Sequence, residues 1–90
     1  MSNQEAIFMY KNRSTDGKNN ICGKKISEIR MNLPEKTSQR KLADQLQIEG
    51  LDIDKNAIQR IESGQRFVTD IELKALVKVL GVTYEDLLGD

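Results

Sequence analysis

Lys55, Asn56, Gln59, Arg60 and Ser63 are hydrogen-bonding side chains gathered in one short stretch, KNAIQRIESGQR. At about 100° of rotation per helical residue they fill one arc, and Ala57, Ile58 and Ile61 fill the arc opposite. Arg and Lys on such an arc can donate to paired acceptors such as those of guanine, and Asn and Gln can donate and accept at once, as adenine requires. The chemistry on offer is recognition of polar edges, with no bond made or broken. Taken alone, the same arc also fits the solvated face of an ordinary amphipathic helix.

The rest of the composition removes most catalytic alternatives. With no histidine and the single cysteine Cys22, the chain cannot build a Ser-His-Asp triad, a Cys-His pair or a His/Cys zinc site. The remaining carboxylates and lysines include no nucleophile with an evident partner and no general base poised near neutral pH. The expectation is a non-enzyme that needs no cofactor. Two motif fragments fall short. Asp52, Asp54 and Asn56 have the spacing of a calcium loop, but Ala57 stands where the loop needs glycine, and Glu62 closes it one position early. GKNNICGKK resembles a phosphate-binding loop, yet its glycines are one residue too far apart, Lys24 is followed by Lys25 instead of Ser or Thr, and no strand precedes it.

Ninety residues, 38% hydrophobic and 31% charged, suit one small domain. No apolar run approaches the roughly 20 residues of a membrane span, and the N-terminus lacks the apolar core of a signal peptide, so a soluble cytoplasmic protein is expected. One cysteine cannot form an internal disulfide, in keeping with a reducing compartment. The formal net charge is +0, but basic and acidic residues number 6 and 3 over residues 1–33, 6 and 6 over 34–66, and 2 and 5 over 67–90. The basic end is N-terminal and the acidic end C-terminal.

Residues 1–20 are mostly polar, with one apolar patch at AIFMY, and predict a flexible N-terminal arm ahead of a domain over residues 21–90. From Asn20 onward the pattern is helical. A first helix capped by Asn20 repeats Cys22, Ile26, Ile29 and Leu33 and stops at Pro34. A second follows Ser38 with Leu42, Ala43 and Leu46 inward, ending near Gly50. A third runs from a cap at Asp54 to a left-handed Gly64. TDIE is the capping box of a fourth, with Leu73, Leu76, Val77 and Leu80 inward and Gly81 as its stop. A short fifth begins at Thr83 and turns Leu87 and Leu88 inward. Five helices without a strand make the fold all-α, and a core this small would gain from pairing with a second copy.

Two short helices in succession, the second with a cleanly polar outer face, meet the geometric needs of a helix that enters the DNA major groove. The groove is about 12 Å wide and admits one helix, so base-reading side chains must share one arc near its N-terminal half. Lys55, Asn56, Gln59 and Arg60 do.

TSQRKLADQL, then NAIQRIESGQR, then LKALVKVLGVTYEDLL resemble, in this order, the phage-repressor-like helix-turn-helix regulators known as the XRE or Cro-like family, over residues 21–89. The resemblance implies a compact five-helix lambda-repressor-like DNA-binding domain. It also implies roles: Lys55, Asn56, Gln59 and Arg60 at base edges, Gln39 on a phosphate and bracing the reading helix, and Ser63, Gln65 and Arg66 on the DNA backbone. Glu62 matches a position that pairs with an arginine of the first helix, here Arg30. Arg40 and Lys41, at the start of the second helix, either contact phosphate or face solvent, and Lys74 and Lys78 are simplest as solvated surface.

One departure stands out. Leu42 and Ile58 are sixteen positions apart, so the turn between the two helices exceeds the about three to four residues typical of the motif. Ile48, Leu51 and Ile53 suggest that the extension packs down. The expected function is a sequence-specific double-stranded-DNA-binding transcriptional regulator acting as a homodimer. The alternative is an antitoxin-like protein-interaction module, favoured by the acidic C-terminal third.

Overall fold

A computed structural model describes residues 17–89 of the chain. The described residues form five helices and no strand: α1 Gly23–Met31, α2 Gln39–Ile48, α3 Lys55–Glu62, α4 Asp70–Leu80 and α5 Tyr84–Leu88. The apolar patch at AIFMY lies outside the described residues.

Four of the five starts are set by side chains that satisfy orphan N–H groups. Ser38 Oγ accepts from the Lys41 N–H at 3.0 Å, and Asp54 Oδ1 from the Ala57 N–H at 2.8 Å. Thr69 with Glu72, and Thr83 with Asp86, make reciprocal capping boxes. The Thr83 N–H holds the exposed Asp86 carboxylate below its ordinary pKa. Each cap of this kind is worth about 1 kcal/mol.

α1 departs from expectation at both ends. The helix starts at Gly23, with Cys22 as N-cap residue and no side-chain cap bond from it. Asn20 acts from two residues further out, its Oδ1 accepting the Gly23 N–H at 2.7 Å. The other end comes at Met31, before Leu33, because Pro34 disfavours helical backbone in the residue that precedes it. Asn32 closes it by donating through Nδ2 to the Glu28 carbonyl at 2.7 Å.

Ile26, Leu42, Leu46, Ile53, Ile58, Ile61, Leu76 and Leu87 are fully buried, with Cys22, Ala43, Ala57 and Leu80 beside them. α3 packs on α1 and α2, α4 on α2 and α5, and α5 returns to α1. Cys22 behaves as a core residue, and burial pushes its thiol pKa up. Two expected inward residues are not inward. Leu88 is 40% exposed, because a helix of five residues can bury only one face and Leu87 takes it.

The second lies in the long α2–α3 connection. Ile53 is buried and Leu51 packs against the core, but Ile48 is 83% exposed. Ile48 is two residues past Leu46, about 200° around the helix, and so points away from the core. The connection itself is well ordered by bonds. Gly50 adopts φ +96°, the Leu51 N–H returns to the Leu46 carbonyl at 3.1 Å, and Gln47 Nε2 donates to the Ile53 carbonyl at 2.8 Å.

Candidate nucleic-acid interface

Among helices α1 to α4, α3 carries the sharpest division of surface. Ala57, Ile58 and Ile61 are buried, whereas Lys55, Asn56, Gln59 and Arg60 are all exposed. No described residue covers those four side chains or engages them in a side-chain hydrogen bond or ion pair. A cleft between α2 and α3 brings Arg40 of α2 beside Lys55 and Asn56. Asp44 and Asp54 line the same cleft, so the face mixes cationic donors with carboxylates. The residues that mimic calcium spacing serve the helix instead: Asp54 is its cap, and Asn56 sits in its first turn.

The orientation of α3 is held from its C-terminal end. Arg30 Nε donates to Glu62 Oε2 at 2.7 Å and Arg30 Nη2 to Glu62 Oε1 at 3.1 Å, a bidentate pair whose side chains are 12% and 7% exposed. Gln39 Nε2 donates to Glu62 Oε1 at 2.8 Å. Arg30 Nη1 adds a bond to the Thr37 carbonyl at 2.9 Å. One carboxylate therefore joins α1, α2 and α3. Gln39 thereby ties the first residue of α2 to the last of α3.

Beyond α3, Gly64 takes φ +85°, a conformation costly for any side chain with a Cβ. The carbonyls around it are gripped by two adjacent asparagines. The Asn19 N–H donates to the Gly64 carbonyl and its Nδ2 to the Gln65 carbonyl, both at 2.8 Å. Asn20 Nδ2 donates to the Ile61 carbonyl at 3.1 Å and to the Arg66 carbonyl at 2.7 Å. Gly23 sits so close that a Cβ there would strike the Ile61 carbonyl oxygen. Asn19 and Asn20, placed by sequence in the arm expected over residues 1–20, thus bond to the folded unit. Sequence reading missed this clamp, since bonds to carbonyls 41–46 positions away leave no local pattern.

With the loop so held, Ser63, the C-cap residue of α3, and Gln65 are exposed. Ser63 Oγ donates to the Arg60 carbonyl at 3.2 Å. Arg66 differs from expectation. Its Nη1 and Nη2 donate to Glu72 Oε1 and Oε2 at 2.9 Å each, so its guanidinium is already engaged as a tie between the loop and the start of α4. Donating to the Glu72 carboxylate raises the Arg66 pKa. For Glu72, burial pushes upward, but bonds from Arg66 and the Thr69 N–H outweigh it and hold the carboxyl below its ordinary value. Lys78, expected as plain solvated surface, pairs with Glu49 at 2.9 Å, and Lys41 reaches Glu35 at 3.3 Å; both lysines are well exposed and such pairs add little.

Among the described residues, no group of three or more His, Cys, Asp or Glu side chains could hold a metal ion. No described helix is long and apolar enough to cross a membrane. A helix-turn-helix family model matches residues 26–87, from the core of α1 to the buried residue of α5. No curated protein and no solved structure matches the chain significantly.

Proposed function

Because the chain belongs to the XRE or Cro-like helix-turn-helix family of DNA-binding regulators, we propose that it reads specific double-stranded sequences by placing α3 in the major groove. The observation that carries this is the uncovered arc of Lys55, Asn56, Gln59 and Arg60, on a helix whose opposite face is fully buried. Lys55 and Arg60 suit guanine, and Asn56 and Gln59 suit adenine. Gln39, Arg40, Ser63 and Gln65 border the arc and hold the phosphates on either side. Arg66 acts by keeping the loop in place through Glu72.

A single α3 offers few base contacts, so the protein acts as a homodimer on two half-sites about one helical turn, roughly 34–36 Å, apart. The neutral overall charge keeps non-specific attraction low, and affinity falls with salt in proportion to the phosphates neutralised. Selection of bound fragments from random double-stranded DNA tests the reading. An enriched, twofold-symmetric motif supports it, and a pool that stays random under conditions where the protein is folded and dimeric rules it out.

A protein partner is the second reading. Ile48 and Ile71 are both strongly exposed, and Ile71 flanks a shallow depression lined by Leu51 and Ala75. Co-purification of a stoichiometric basic protein that survives nuclease treatment would favour it.

A further inference from the structure

The cleft between α2 and α3, about 290 Å³ in volume, holds two carboxylates on a face proposed to meet DNA, itself a polyanion. Asp54 has a structural task there, since its Oδ1 accepts from the Ala57 N–H at 2.8 Å and caps α3. Asp44 has none. It is exposed, and its carboxylate makes no hydrogen bond or ion pair with any described residue. Arg40 stands one turn away on the same helix, at a spacing that permits an ion pair, yet the two do not pair.

Arg40, Asp44 and Gln47 lie at i, i+4 and i+7, and so form one stripe of α2 along the cleft. The far end of this stripe is fixed: Gln47 Nε2 donates to the Ile53 carbonyl at 2.8 Å, one residue before the cap of α3. The lengthened connection is thereby pinned to α2. Asp44 shares the cleft with Lys55 and Asn56, the first two residues of α3. A helix of this motif reads bases with its N-terminal half, so Asp44 borders the reading end.

A free carboxylate at that place selects its neighbour by charge and by hydrogen-bond polarity. It accepts but cannot donate, and a phosphate would be repelled. In the major groove only two groups donate, the N4 amino group of cytosine and the N6 amino group of adenine. Adenine N6 adjoins the N7 acceptor, whose lone pair opposes a carboxylate, whereas cytosine presents N4 as a donor alone. The guanine paired with that cytosine offers N7 and O6, which suit the cation of Lys55 in the same cleft. One C·G pair therefore matches both charges at once.

We propose that Asp44 is a specificity-determining residue that accepts from the N4 amino group of a cytosine in each half-site, while Lys55 donates to the guanine paired with it. This rests on major-groove reading by α3, and the test separates the two. Fragments are selected from random double-stranded DNA with the parent chain, Asp44→Ala and Asp44→Asn, at matched helicity. The parent should enrich a C·G pair in each half-site. Asp44→Ala should lose the preference at that pair alone, by about tenfold. Asp44→Asn should move it toward A·T, because an amide both donates and accepts. N4-methylcytosine at the same position, which puts a methyl group in place of the groove-facing hydrogen, should weaken the parent by a similar factor and leave Asp44→Ala unaffected. Variants that keep the parent's preference at every base pair overturn this inference and leave major-groove reading intact. So does a rise in affinity that is equal for all sequences, the mark of a carboxylate that only repels phosphates. A parent pool that stays random overturns both.

Discussion

Gln39 Nε2 and Glu62 Oε1 lie 2.8 Å apart, tying the first residue of α2 to the last residue of α3. The same carboxylate holds Arg30 of α1 with two bonds. The angle between the two helices of the motif is therefore fixed from the end of α3 that faces inward, leaving the outward arc with no structural duty. Glu62→Ala strands a guanidinium only 12% exposed, and a loss of about 3–5 kcal/mol is expected in urea unfolding. Replacing both partners, Arg30→Met with Glu62→Leu, should recover most of that loss. A single substitution that costs less than about 0.5 kcal/mol would mean the network is incidental.

The asparagine clamp should matter to the loop more than to the helices. Asn20→Asp keeps the acceptor for the Gly23 N–H but turns the donor toward the Ile61 and Arg66 carbonyls into a second acceptor. A loss of about 2 kcal/mol is expected from two carbonyls left unpaired beside a carboxylate. Amide exchange at Gly64 to Arg66 should accelerate beyond that at α4. Uniform acceleration across the domain would assign Asn20 a purely global role.

Acid should weaken the Arg66–Glu72 tie. The Glu72 carboxyl titrates below its ordinary value of 4.5 in the folded protein. The unfolded chain then binds more protons in mild acid, so this contribution is complete above pH 4.5 and fades as pH falls below it. Unfolding of the parent and of Glu72→Gln, followed from pH 7 to pH 3, should show a stability gap that is widest at neutral pH and narrows in acid. A gap that stays constant contradicts the assignment.

The lengthened α2–α3 connection yields a contrast between neighbours. Ile53→Ala removes a side chain that is 1% exposed, and should cost about 2–5 kcal/mol. Ile48→Ser changes one that is 83% exposed, and should shift stability by no more than about 0.5 kcal/mol. Equal losses would mean that Ile48 is covered in the folded protein.

The helices were legible because their signals are local. Ser38, Asp54, Thr69 and Thr83 sit where orphan N–H groups need acceptors, and apolar residues recur at helical spacing behind them. The polar arc of α3 was legible for the same reason. Departures arise where a side chain reaches across the fold or where periodicity runs out. Asn19 and Asn20 bond to carbonyls more than forty positions away. Arg66 looks in sequence like one more cation beside the arc, and only the folded loop delivers Glu72 to it. Ile48 and Leu88 are last residues of their helices, two positions past Leu46 and one past Leu87, and those steps move each side chain off the buried face.

The role proposed for the outward arc of α3 is contact with base edges. Fluorescence anisotropy on the duplex recovered by selection, comparing the parent chain with Gln59→Ala and Arg60→Ala at matched helicity, tests it most directly. Binding should weaken by about 1–3 kcal/mol for each variant, with preference relaxed at one base pair of each half-site. Unchanged affinity and unchanged preference in both variants would place the contact surface elsewhere on the molecule.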